Sequence, residues 1–224
     1  VVVTTGLLDR LDDAELDAFF EGAVDVCESA GAEYVGGDLD THQEVTVATT
    51  AIGTTETPVL RSTASPGEVV CVTGTLGRSA AAARYFEAGD LERANDRFQF
   101  PPRVDAGLAL ADTATAMMDS SDGLARSLHQ LADASDVGFA IDGDRVPVDD
   151  ALEELCNGAD VLHEAMTYGE DFELVATLPD RAVESVRDSL DVDLTVVGRV
   201  TDPEDGILLD GEPLADEGWT HGRA

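Results

Sequence analysis

Apolar and polar positions along the chain change rhythm repeatedly, and each rhythm predicts an element. Residues 1–6 (VVVTTG) read as a short strand. Over 12–31, Leu16, Phe19, Phe20, Ala23, Val24 and Cys27 fall on one helical face, with Asp12 or Asp13 placed to cap the start and Gly31 to stop it. A strand is predicted over 32–38 (AEYVGGD) and another, with alternating apolar residues, over 44–53. The segment 54–67 holds two prolines and many small polar residues, which predicts a domain boundary. Beyond it come a buried strand at 68–74, the loop TLGRS, and a helix over 79–88. Residues 89–100 are polar and predicted irregular, and Pro101-Pro102 opens a helix that is predicted to run to Ala116. A strand at 137–141, a short helix at 149–156 closed by Asn157-Gly158, a strand at 172–177, a helix at 181–190 and a strand at 194–200 follow. Asp210-Gly211 is a hairpin turn signal. Strands alternating with helices place the chain in the α/β or α+β class.

The stretch 117–138, MMDSSDGLARSLHQLADASDVG, organises the rest. Asp119 closes a short apolar run, Ser120 and Ser121 make a turn, and Leu124, Leu128 and Leu131 line one face of a helix. Ser121 or Asp122 is placed to cap that helix. Two acids beside a helix start can hold a hard cation such as Mg²⁺, while hydroxyl and amide donors there can hold phosphate. A capped surface helix would show the same pattern. Three further segments carry the same two-sided reading. Gly36-Gly37-Asp38 suits close ligand approach or a plain turn. TLGRS looks like a phosphate loop but lacks the lysine and spacing of a Walker motif, which favours a structural role. The acids of 168–174 (YGEDFEL) belong either to a solvated loop or to one that touches a ligand.

Charge narrows the possible partners. The chain has 47 acidic residues against 13 basic ones, a net charge of −34, and every basic residue is arginine. Acids spread over all segments predict a surface that repels itself in dilute buffer and is tolerated in concentrated salt, as in a halophile. Nucleic acid has no basic patch to bind. A phosphorylated small molecule would also be repelled unless metal ions locally reverse the field. Three distant cysteines without a C-x-x-C pattern argue for buried thiols and against zinc or a disulfide framework. With neither a membrane-length apolar run nor a basic-flanked leader, a cytoplasmic location is the default.

Four segments in order, VGGDLD at 35–40, LRSTASPGEVVCVTGTLGRSAA at 60–81, MDSSDGL at 118–124 and YGEDFEL at 168–174, resemble the thiamine-monophosphate kinase family. That family belongs to the superfamily of aminoimidazole ribonucleotide synthetase, selenophosphate synthetase and a hydrogenase maturation factor. The resemblance implies a two-domain fold with mixed sheets and packed helices. Residues 1–64 would be the rear of an ATP- and metal-binding, dimerising domain, and 65–224 a C-terminal α/β domain. It implies transfer of the γ-phosphoryl group of ATP to thiamine monophosphate, giving thiamine diphosphate, with Mg²⁺ as cofactor. Asp38, Asp119 and Asp122 would be metal ligands, and Gly37, Asp38, Arg61 and Ser121 ATP contacts. Glu170 and Trp219 would contact the thiamine substrate, with no protein nucleophile. For Trp219 the alternative is a tryptophan closing a hydrophobic edge.

The chain opens on Val-Val-Val, and the family's N-terminal acid cluster has no counterpart here, so residues 1–224 alone are expected to run the reaction poorly. Two other functions remain open on the residues: another ATP-dependent enzyme of the superfamily, or a non-catalytic nucleotide-binding module.

Overall fold

The structure is a computed structural model describing residues 2–7, 11–40, 46–156 and 159–219, and it divides into two compact units, Val1–Thr57 and Pro58–Ala224. Val1 and positions 8–10, 41–45, 157–158 and 220–224 lie outside the described residues.

The first unit runs β1 (Val2–Leu7), α1 (Asp13–Ser29), β2 (Tyr34–Asp40) and β3 (Thr46–Ala51), with β1 central, parallel to β2 and antiparallel to β3. Helix α1 starts in a capping box: Asp12 Oδ1 accepts from the Ala14 and Glu15 amides, and Glu15 accepts from the Asp12 amide at 2.9 Å. Its apolar stripe packs on the sheet through rings, with Phe20 6.1 Å from Tyr34. Gly36-Gly37-Asp38 does not end β2 as predicted. It lies inside the strand, with Gly37 opposite Thr4 and Asp38 opposite Thr5, because parallel pairing with β1 continues to Asp40.

The second unit is built on a seven-stranded sheet. Its strands are β4 (Val69–Thr73), β5 (Ala116–Asp119), β6 (Gly138–Ile141), β7 (Leu174–Leu178), β8 (Leu194–Thr201), β9 (Ile207–Leu209) and β10 (Glu212–Pro213), in the order β10-β9-β6-β8-β4-β7-β5. All neighbours are antiparallel except β6 and β9. Its helices are α2 (Arg78–Glu87), α3 (Leu91–Phe98), α4 (Val104–Ala111), α5 (Leu124–Ser135), α6 (Asp150–Leu155), α7 (Ala159–Thr167) and α8 (Val183–Arg187). Strand β4 is buried along its whole length because both sheet faces are covered. Val70 and Val72 face a core shared with Leu124, Leu128 and Leu131 of α5, while Val69 and Cys71 face Leu110, Val183 and Val186. All three cysteines are buried.

Residues 58–64 travel with this second unit. Leu60 O accepts from the Met117 amide (3.2 Å), Ser135 Oγ donates to Arg61 O (2.7 Å), and Ala64 is buried in the core.

Three predicted elements change. The polar stretch 89–100 contains α3, whose start is capped by Asp90 and whose end is tied down by Arg97 to Asp149 at 3.0 Å. Its small apolar content hid it, since Ala94 is its one buried residue. The helix predicted to reach Ala116 stops at Ala111. Pairing of β5 with β7, and a Thr115 Oγ1–Thr177 Oγ1 contact of 2.7 Å, pull the following residues into the sheet edge. The third difference is an addition, helix α7, which the sequence pattern does not predict.

Candidate active site

Strand β5 delivers Asp119 to the end of the sheet, and the chain turns through Ser120, Ser121 and Asp122 into α5. The predicted cap is absent. Gly123 is the N-cap, with φ 100° and ψ 153°, and no side chain bonds to the first-turn amides. Neither Ser121 nor Asp122 is therefore consumed by the helix. The side chains of Asp119, Ser121 and Asp122 make no hydrogen bond to any described residue, and all three are half-buried. Ser120 Oγ is fully buried and likewise without a partner among the described residues.

What holds this turn in place is main chain from two distant segments. The Ser120 amide donates to Glu173 O and the Glu170 amide to Ser121 O, both at 2.7 Å. The Trp219 amide donates to Asp122 O at 3.0 Å. The approach is close enough to exclude side chains: a β-carbon on Gly169 would stand 2.5 Å from Ser121 O, and one on Gly218 2.3 Å from Asp122 O. Asp119, Ser121, Asp122, Glu170 and Trp219 thus share one seam. Glu170 and Trp219 are both exposed beside it.

Arg61 lies farther along α5, its Nη1 3.4 Å from Gln130 Oε1, and it makes no ion pair with any described residue. Eight other arginines are paired with carboxylates. Gly37 and Asp38 belong to the first unit, where Asp38 is exposed.

The acids of YGEDFEL separate by role. Glu170 is exposed, but Asp171 and Glu173 are buried and serve the protein itself. Asp171 accepts from the Gly77 amide (2.7 Å) and the Ser79 amide (2.9 Å), so the start of α2 is filled by the chain's own carboxylate. This decides TLGRS in favour of a structural role. Burial pushes the Asp171 carboxyl up to about 6, against the opposing pull of those two amides. Glu173 takes a forked pair of bonds from Arg103, at 2.7 and 2.6 Å, and a third from Thr73 Oγ1 at 2.6 Å. Glu170 and Phe172 adopt left-handed backbone angles, φ 61° and 52°, on either side of the anchored Asp171. Such backbone persists where surroundings over-determine it.

Sequence reasoning missed Asp171, Glu173 and Arg103. A signal existed: acids flanking Phe172 at the entrance to an apolar strand are poorly placed for solvent. Among the described residues no three His, Cys, Asp or Glu side chains gather as a complete metal cage.

The C-terminal domain of AIR synthase related proteins matches residues 65–210 and defines the class of this fold. A thiamine-monophosphate kinase of Halobacterium salinarum is 61% identical over 94% of this chain and 72% of its own length. A structure of thiamine-monophosphate kinase from Stenotrophomonas maltophilia superposes with a TM-score of 0.86 at 29% identity, covering 96% of this chain and 72% of that one. AaThiL complexed with AMPPCP and TMP superposes equally well, TM-score 0.86 at 28% identity, covering 98% and 72%. The chain belongs to the thiamine-monophosphate kinase family.

Proposed function

We propose that this protein phosphorylates thiamine monophosphate to thiamine diphosphate, transferring the γ-phosphoryl group of ATP directly and in line. The observation that carries this reading is the seam itself. Two carboxylates without partners among the described residues, Asp119 and Asp122, stand in a turn that main-chain bonds fasten to Glu170 and to Trp219. The family relative solved with AMPPCP and TMP supports the same pair of ligands.

Phosphoryl transfer to a phosphate acceptor asks little covalent work of the protein, chiefly positioning and neutralised charge. No nucleophilic side chain is needed, because the attacking oxygen belongs to thiamine monophosphate. The hard oxygen donors of Asp119 and Asp122 fit Mg²⁺, and the exposed Asp38 carboxylate of the first unit is by itself a donor of the same kind. When bound, the metal supplies positive charge to the transferring oxygens. Arg61 provides a permanent cation for ATP, and the Ser121 hydroxyl adds a phosphate contact; in the first unit, Gly37 is the position where backbone can approach a phosphate. Glu170 contacts the cationic thiazolium or the aminopyrimidine of thiamine, and Trp219 covers a thiamine ring, with an attraction of about 0.5–2 kcal/mol where that ring is cationic. The enzyme works as a homodimer in a salt-rich cytoplasm, where screening makes a net charge of −34 tolerable. Among the described residues no helix is long and apolar enough to cross a membrane.

The test is incubation of the full-length protein with ATP, Mg²⁺ and thiamine monophosphate in molar KCl. Thiamine diphosphate should form with one ADP per product. ATP consumption independent of thiamine monophosphate would transfer the chain to a sister activity and sink this reading.

A further inference from the structure

We propose that residues 214–219 form a clasp that carries Trp219 to the Asp119–Asp122 turn, and that Arg126 and His163 are the positioning residues that close it. The segment belongs to no helix or strand, yet it is fastened at nearly every step. His129 Nε2 of α5 lies 3.0 Å from Leu214 O. The Arg126 guanidinium, on the first turn of α5 and four residues after Asp122, pairs with Asp216 at 2.5 Å. His163 Nε2 of α7 lies 3.0 Å from Glu217 Oε2. Gly218 then passes so close to Asp122 O that only glycine fits, and the Trp219 amide bonds to that same oxygen.

Two features separate this from ordinary chain-end packing. Cationic and imidazole side chains are scarce, 13 Lys and Arg and four His in 224 residues, so one arginine and two histidines on six residues is a heavy concentration. A cleft of ≈ 150 Å³ also lies beside it, lined by Leu162, Met166, Leu209 and Leu214 together with the tied pair His163 and Glu217. A strap held by polar ties beside a cleft can open without breaking a core, which is the behaviour required of elements that admit a ligand. Arg126 touches no reacting atom in this scheme. It acts through Asp216, fixing the register in which Gly218 and Trp219 meet Asp122.

This inference rests on the kinase reading, with Trp219 at the thiamine ring, and its test separates the two. In the full-length protein, Arg126→Gln should raise KM for thiamine monophosphate about fivefold, while kcat and KM for ATP stay within about twofold. Arg126→Lys should recover part of the loss. Asp216→Asn, on an exposed side chain, should reproduce Arg126→Gln, and the double variant should add nothing to either. Trp219 is the sole tryptophan, so acrylamide quenching of its emission reports the clasp independently of turnover, and should increase in each single variant. Unchanged KM with unchanged quenching would overturn the clasp, as would equal rises in both KM values. A wild-type protein making no thiamine diphosphate would overturn the kinase reading, while the quenching comparison would still decide whether Arg126 closes the segment.

Discussion

Replacing Arg103 by methionine isolates the strongest polar contact beneath the site. The Arg103 side chain is 14% exposed and that of Glu173 4%, so both charges are largely out of water. Methionine keeps much of the arginine stem's bulk but removes both guanidinium bonds, leaving Thr73 Oγ1 as the side-chain donor to a buried carboxylate. Breaking a buried pair on one side costs about 3–5 kcal/mol, because the stranded charge keeps its desolvation penalty. For a chain of this size each kcal/mol moves the melting temperature by roughly 2–4 °C, so a fall on the order of 10 °C is expected. The control is Arg199→Met. Arg199 pairs with Asp180 at 3.0 Å, but both side chains are more than half exposed, and such a pair contributes about 0–1 kcal/mol. Thermal melts followed by circular dichroism at low and at molar KCl distinguish the two. The Arg103 loss should persist in molar salt, where the Debye length is about 3 Å, since screening acts chiefly on exposed charges. If Arg103→Met melted no lower than Arg199→Met, the claim that this pair anchors the YGEDFEL segment would fail.

Four other outcomes are expected. The Asp171 carboxyl sits at about 6 in the fold against 3.8 for the free group, so the fold favours its neutral form. Its stabilising contribution is complete below about pH 4 and lost as pH rises through 6, a swing of about 3 kcal/mol. Asp171→Asn should therefore lack that slope, and parallel pH–stability curves for variant and wild type would refute it. Gly169→Ala forces a β-carbon against Ser121 O at φ +81° and should cost more than about 2 kcal/mol in chemical denaturation, with a smaller loss counting against the seam. Asp122→Ala should lower kcat about 100-fold or more while leaving the melt near wild type, since its side chain bonds to no described residue. A near-normal rate at saturating Mg²⁺ would remove Asp122 from the metal site. Dilution from molar KCl should unfold the protein, and native circular dichroism in salt-free buffer would contradict the halophile reading.

The long amphipathic segments were legible because they obey one period from end to end. The face of α1 from Leu16 to Cys27 and the leucines of α5 fall where the spacing put them. The errors concentrate where tertiary pairing overrides local preference. Thr115 and Ala116 follow a helical run yet join the sheet, because Thr177 offers them partners that no local pattern reveals. At the site, the residue types of 119–122 were readable, but their freedom was not. A serine or aspartate before a leucine-rich helix normally caps it. Here Gly123 takes the cap position and releases both. Conversely, Asp171 and Glu173 resemble solvated loop acids until the α2 amides and Arg103 are seen to close over them.

Three main-chain bonds join the seam around Asp122: Ser120 to Glu173, Glu170 to Ser121, and Trp219 to Asp122. A geometry stored in peptide groups is indifferent to which side chains those residues bear, provided the glycines remain. The outward side chains at Glu170 and Trp219 can therefore be exchanged with little change in the spacing of Asp119 and Asp122. On the proposed reading, acceptor recognition can change in a few substitutions while the Asp119–Asp122 turn stays as it is.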